Sequence, residues 1–241
     1  AYHNFSAPEA MDSAQLARNL AEGKGYTTLF IRPFSLYLVE QHNKEKYATN
    51  PTTNAVDFAE IKTAHPDLAN APVYPLLLAG LMKVLPFQTK VNTESPFWSN
   101  NEQFWRYEPD FLIAVFNEIL LFVAVWLTFR IARKLFDDGV AWLPAVLMLG
   151  CPLLWQFSVS GISTMLQIVI FLGLIHCLIK FEEAARQPEP SAGKLLRLIL
   201  LIGLLTGIGA LTRYAFGWII LPVAAFVVWF GPQRRTTHLL A

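Results

Sequence analysis

Charge is scarce in this sequence. Asp, Glu, Lys and Arg make up 15% of its 241 residues and hydrophobic residues 54%, whereas soluble domains carry about a quarter charged. That shortage excludes an ordinary solvated globule. The net charge is only +1, and no Lys/Arg cluster is interleaved with aromatics, so no nucleic-acid partner is expected. Cysteine is limited to Cys151 and Cys177, both within apolar stretches. A disulfide framework or thiolate metal site is therefore not expected, and both read as small buried hydrophobes. Alternation is also missing: Leu198-Ile199-Leu200-Leu201-Ile202 does not switch polarity at every second residue, which excludes a spanning β-barrel.

What the sequence has in abundance is long apolar runs. Residues 111–129, 140–160, 162–179, 195–211 and 214–230 form five blocks, close to the roughly 20 residues an α-helix needs to cross about 30 Å of hydrocarbon. The fold class expected is all-α, a polytopic membrane bundle of about five helices over 111–231. Two connectors are very tight, so neighbouring helices form antiparallel hairpins with room for tilt or a break.

The basic residues set the orientation. Arg130, Arg133 and Lys134 follow the first block, Lys180, Arg186, Lys194 and Arg197 separate the third and fourth, and Arg234 and Arg235 follow the fifth. These are alternate connectors, and short basic loops stay in the cytoplasm. Residues 1–110 are therefore expected outside it, and 232–241 to open a cytoplasmic loop. A charged segment of that length needs a hydrophobic element ahead of it to be exported. Ala1-Tyr2-His3-Asn4 holds neither an initiator Met nor a signal core. The expectation is a fragment, with a helix upstream and more chain downstream.

Within the outer segment, residues 11–22 place Leu16 and Leu20 on one helical face and meet a stop at Gly23-Lys24-Gly25. Residues 70–85 open with Pro72 and Pro75, run through Leu76-Leu77-Leu78 and stop at Pro86, as a helix lying on the membrane surface would. Residues 40–65 and 87–110 read as surface loops.

Two stretches carry a resemblance: Met11-Asp12-Ser13-Ala14-Gln15-Leu16-Ala17-Arg18-Asn19-Leu20-Ala21-Glu22-Gly23-Lys24-Gly25-Tyr26, and Pro66-Asp67-Leu68-Ala69-Asn70-Ala71-Pro72-Val73-Tyr74-Pro75 with its following leucines. They resemble the first extracytoplasmic loop of the GT-C glycosyltransferases, in the branch of protein O-mannosyltransferases and lipid A aminoarabinose transferases. Arg130-Ile131-Ala132-Arg133-Lys134-Leu135-Phe136-Asp137 resembles the cytoplasmic turn of these enzymes, and Gly209-Ala210-Leu211-Thr212-Arg213-Tyr214 their outer-face Leu-Thr-Arg element. The chain would then be the N-terminal part of such an enzyme in a bacterial cytoplasmic membrane. It would move a sugar from a polyprenyl-phosphate carrier to an acceptor at the outer face.

The resemblance implies a carboxylate to take the acceptor's proton and cations to hold the phosphate leaving group. Asp12 matches the acidic position; the competing reading is a solvated carboxylate at a helix start, favoured by the dipole. Arg213 suits a lipid phosphate, or else snorkels to headgroups. Arg18, Arg32 and Tyr74 are further candidates for substrate contact. Glu118 is a candidate because it is ionisable within a span, against the reading of an interhelical hydrogen bond. His65 and Asp67 lack a third partner, so they are expected as turn and cap residues, with no metal. No cofactor is implied.

One departure from the family matters. Many relatives carry an acid in the second outer connector, and Ser160-Gly161-Ile162-Ser163-Thr164-Met165-Leu166-Gln167 has none. The rival reading is a catalytically silent subunit that uses the scaffold to hold other membrane subunits. A transporter is disfavoured by the lack of an inverted pair of broken helices and the few intramembrane charges.

Overall fold

A computed structural model of the protein describes residues 5, 7–29, 37, 41, 65–67, 69–85, 87 and 107–231. Arg32, the Arg234-Arg235 pair and most of the loops expected at 40–65 and 87–110 lie outside the described residues.

Helix α1 (Pro8–Ala21) starts earlier than the expected residue 11, because Pro8 sits where a missing N–H costs nothing. Glu9 lies in its first turn and Arg18 in its last, each with the sign the helix dipole favours. The helix stops at Gly23 and Gly25, which hold φ of 77° and 79°. In that turn Lys24 N–H donates to the Asn19 carbonyl and Gly23 N–H to that of Leu20. Asn19 Nδ2 donates to the Thr27 carbonyl at 2.7 Å, pinning the exit. Strand β1 (Thr27–Thr28) then pairs antiparallel with β2 (His65–Pro66). Helix α2 (Val73–Val84) lies against α1. Ala10 and Ala17 of α1 and Tyr74, Leu78 and Ala79 of α2 join one buried cluster that continues into the bundle.

The protein is an all-α membrane bundle. Among the described residues three helices are long and apolar enough to span: α3 (Glu108–Leu135), α6 (Thr164–Ala185) and α7 (Ala192–Thr212). The second apolar block is not one straight helix. It forms α4 (Trp142–Leu149) and α5 (Pro152–Val159), bent by 59°. Pro152 lacks the N–H that would continue the helix and pushes Cys151 to extended backbone, with φ −84° and ψ 107°. The fifth block also differs. It starts as a 3-10 turn (Tyr214–Ile219) and continues as α8 (Ile220–Phe230), short of an unbroken span. Counting the bent pair as one span gives four among the described residues, against about five expected.

Helix α3 packs on α4, α5 and α6; α6 packs on α7; and the 3-10 turn folds back on α7. Leu174, Phe181 and Ile202 fill this interior, while Trp142, Leu147, Leu200 and Trp229 project outward. A bilayer tolerates that arrangement, since lipid tails are as apolar as leucine and helix association depends on close packing. Two glycines mark where packing is closest. A Cβ on Gly161 would clash with the Phe5 ring, and one on Gly209 with the Phe216 ring.

Candidate functional site

Where α1 and α2 meet the ends of α6 and α7, a cleft of about 470 Å³ opens. Glu9 and Ser13 line it from α1, Asn70 and Tyr74 from the second outer stretch, and Ser163 and Arg213 from the bundle.

Arg213 reaches the cleft because α7 ends there. Its backbone is extended, with φ −149° and ψ 119°, and the close fit of Phe216 on Gly209 turns the chain directly afterward. Its Nη2 lies 3.0 Å from Glu9 Oε1, with 43% and 50% of the two side chains exposed. A pair so open to water contributes little to stability, so an arriving phosphate could displace Glu9 from the guanidinium at small cost.

Asn70 organises the opposite wall. Its carbonyl accepts from Tyr26 Oη at 3.0 Å and from Tyr214 Oη at 3.2 Å. Its Nδ2 donates to Asp12 Oδ2 at 2.6 Å and to the Asp67 carboxylate. Asp67 also accepts from Ala69 N–H at 2.9 Å, the cap-like turn expected of it. Asp12 itself is 1% exposed and accepts a second hydrogen bond from Thr28 Oγ1 at 2.8 Å. It therefore lies behind Asn70 and does not line the cleft. The solvated helix-start reading of Asp12 does not describe this buried position.

Tyr74 forms part of the floor. Its hydroxyl donates to the Gly161 carbonyl at 2.9 Å and accepts from Asn117 Nδ2 at 3.0 Å, tying α2 to α3 and to the turn before α6. Burial pushes this hydroxyl above the usual tyrosine range, against the opposing pull of the Asn117 bond. It stays protonated and keeps its donor.

The other expected residues lie elsewhere. Arg18 is absent from the cleft lining; burial raises the pKa of the nearby Tyr107 hydroxyl against the lowering effect of the Arg18 charge. Glu118 Oε1 accepts from Ser158 Oγ at 2.9 Å, and Oε2 is buried with no hydrogen-bond partner among the described residues. This is the interhelical hydrogen bond foreseen as its alternative reading. Arg32 is outside the described residues. No three His, Cys, Asp or Glu side chains gather at metal-binding spacing among the described residues.

Sequence reasoning missed Glu9, Asn70 and Tyr214. A signal for Glu9 existed: it precedes Asp12 by three residues, the spacing that makes neighbours on a helix surface. Starting the helix at residue 11 left it outside. Asn70 and Tyr214 fall within stretches that carry the resemblance, but nothing local marked their roles, since both act through contacts between distant segments.

The cleft thus offers a guanidinium suited to a phosphate, a carboxylate beside it, and a second carboxylate one layer behind. The family model described as dolichyl-phosphate-mannose-protein mannosyltransferase matches residues 107–240. No curated protein and no solved structure matches the chain. The matched span includes Glu118, Ser163, Arg213 and Tyr214, whereas Glu9, Asp12, Asn70 and Tyr74 precede it.

Proposed function

The chain belongs to the dolichyl-phosphate-mannose-protein mannosyltransferase family, membrane glycosyltransferases of the GT-C kind, and from that premise we propose that it transfers a sugar from a polyprenyl-phosphate carrier to an acceptor at the outer membrane face. The observation that carries this reading is Arg213 in an open cleft at the end of α7, where a lipid phosphate would arrive from the bilayer. An acceptor hydroxyl attacks the anomeric carbon and gives its proton to a carboxylate. The bond from that carbon to the phosphate oxygen breaks, and Arg213 stabilises the departing phosphate.

Two carboxylates can take the proton. Asp12 holds the position that the resemblance assigns to the base, and it becomes available if Asn70 moves aside. The second reading gives the role to Glu9, because Glu9 lines the cleft beside Arg213. Arg18 and Arg32 remain candidates for steering the anionic donor. Glu118 and Tyr74 would shape the site through buried hydrogen bonds.

Sugar transfer in membranes from a radiolabelled polyprenyl-phosphate-sugar pool tests the proposal, using the full-length protein and its Asp12→Asn, Glu9→Gln and Arg213→Ala forms. Losing one catalytic proton acceptor should cost about 10²–10⁴-fold, so the more damaging acid substitution identifies the base. Arg213→Ala should abolish transfer from every donor. Absence of transfer by the unaltered full-length protein would leave the scaffold-subunit reading, and that protein should then co-purify stoichiometrically with other membrane subunits.

A further inference from the structure

At the far end of α7 a second cleft of about 620 Å³ lies between the ends of α3 and α6 and the start of α7. Nineteen residues separate Lys194 from Arg213, placing the two clefts about 28 Å apart along a helix rising 1.5 Å per residue. Among the described residues four cations line it, Lys134, Lys180, Lys194 and Arg197, against the single carboxylate of Glu183.

Glu183 is already committed, because Lys134 Nζ donates to its two oxygens at 2.7 and 2.6 Å. Lys180, Lys194 and Arg197 make no ion pair among the described residues. Three cations facing one cavity repel one another unless an anion joins them. The start of α7 adds to the same demand. Its N-cap, Ser191, makes no side-chain cap bond and its first turn holds no acidic residue, so the free N–H groups and the positive end of the helix dipole also lack a counter-charge.

The apolar part of the wall indicates the source of that anion. Leu198 follows Lys194 by four residues and Leu201 follows Arg197 by four, and both line the cleft. Each cation therefore stands one turn nearer the helix end than a leucine on the same face. A diester phosphate carrying acyl chains meets both features at once, with its headgroup on the cations and its chains along the leucines. A soluble phosphate would leave the leucines unused. We propose that this cleft binds the headgroup of an anionic phospholipid. The inference is independent of the transfer chemistry at the opposite end.

The test uses the full-length protein in nanodiscs of phosphatidylcholine alone or with phosphatidylglycerol added, reading the melting temperature. Phosphatidylglycerol should raise it for the unaltered protein and for Arg133→Gln/Arg186→Gln, which removes two charges at the same end of the bundle but outside the cleft. Lys194→Gln/Arg197→Gln should lose most of that rise, and Lys180→Gln part of it. High salt should weaken the response. An equal rise in all four proteins would overturn the proposal in favour of diffuse surface attraction. An equal rise from inorganic phosphate in phosphatidylcholine discs would overturn the lipid as occupant.

Discussion

At the scale of single residues, the hydroxyl of Tyr74 joins three elements that are far apart in sequence. Tyr74→Phe keeps the ring but leaves Asn117 Nδ2 and the Gly161 carbonyl unpaired in a buried place. Leaving such groups unsatisfied costs about 1–3 kcal/mol, which thermal unfolding in detergent would register. The variant should also alter the response to alkali. Burial raises the folded-state pKa of Tyr74, so the folded form holds its proton while an unfolded tyrosine loses it above about pH 10. Stability from this group is therefore complete below that pH and declines above it. The difference between the natural protein and Tyr74→Phe should shrink on the alkaline side; an unchanging difference would contradict the assignment. Gly161 supplies a second case. It holds φ +75° with the Phe5 ring where a Cβ would be. Left-handed backbone alone costs a residue with a side chain about 1–2 kcal/mol, so Gly161→Ala should destabilise by at least that much. Gly80→Ala, on an exposed helical position with nothing within 4 Å, should be neutral or gain up to about 1 kcal/mol.

At the scale of elements, the junction between α7 and the 3-10 turn determines where Arg213 points. Gly209 permits Phe216 to lie against the helix, and that contact folds the turn back at Arg213. Gly209→Ala should push Phe216 away and reduce transfer by moving the guanidinium, with the protein still inserted in the membrane. Adding Phe216→Ala should restore part of the activity, because the clash is removed; failure of the double variant would mean that the contact does not govern Arg213. This junction also marks what could be read in advance. The Gly23–Gly25 stop, the long spans and the isolated Arg213 were legible because each is a local signal in composition or spacing. The break at Gly150-Cys151-Pro152 was not, since hydropathy stays high through it and only the proline marks the bend. The burial of Asp12 was illegible for another reason: its partners Thr28 and Asn70 come from 16 and 58 residues away, and no helical period reports such contacts.

At the scale of the whole molecule, the two ends of the bundle differ in charge and in what covers them. One end carries α1 and α2 over the Arg213 cleft. The other gathers Arg133 and Lys134 from α3, Lys180 and Arg186 around the close of α6, and Lys194 and Arg197 from α7. Short basic loops resist export, so the second end should face the cytoplasm and the cleft under α1 and α2 the outside. Single cysteines test this in intact cells with a membrane-impermeant maleimide. Lys24 and Glu189 lie at the two ends and are exposed. Of the native cysteines, Cys177 is buried and Cys151 partly so, which keeps background labelling low. Lys24→Cys should react without permeabilisation, and Glu189→Cys only after it. The opposite pattern would put Arg213 in the cytoplasm and remove an outer-face acceptor from the proposed reaction. Labelling as expected would set the donor phosphate a geometric condition: it must enter from the outer leaflet, at the level where α7 gives way to the 3-10 turn.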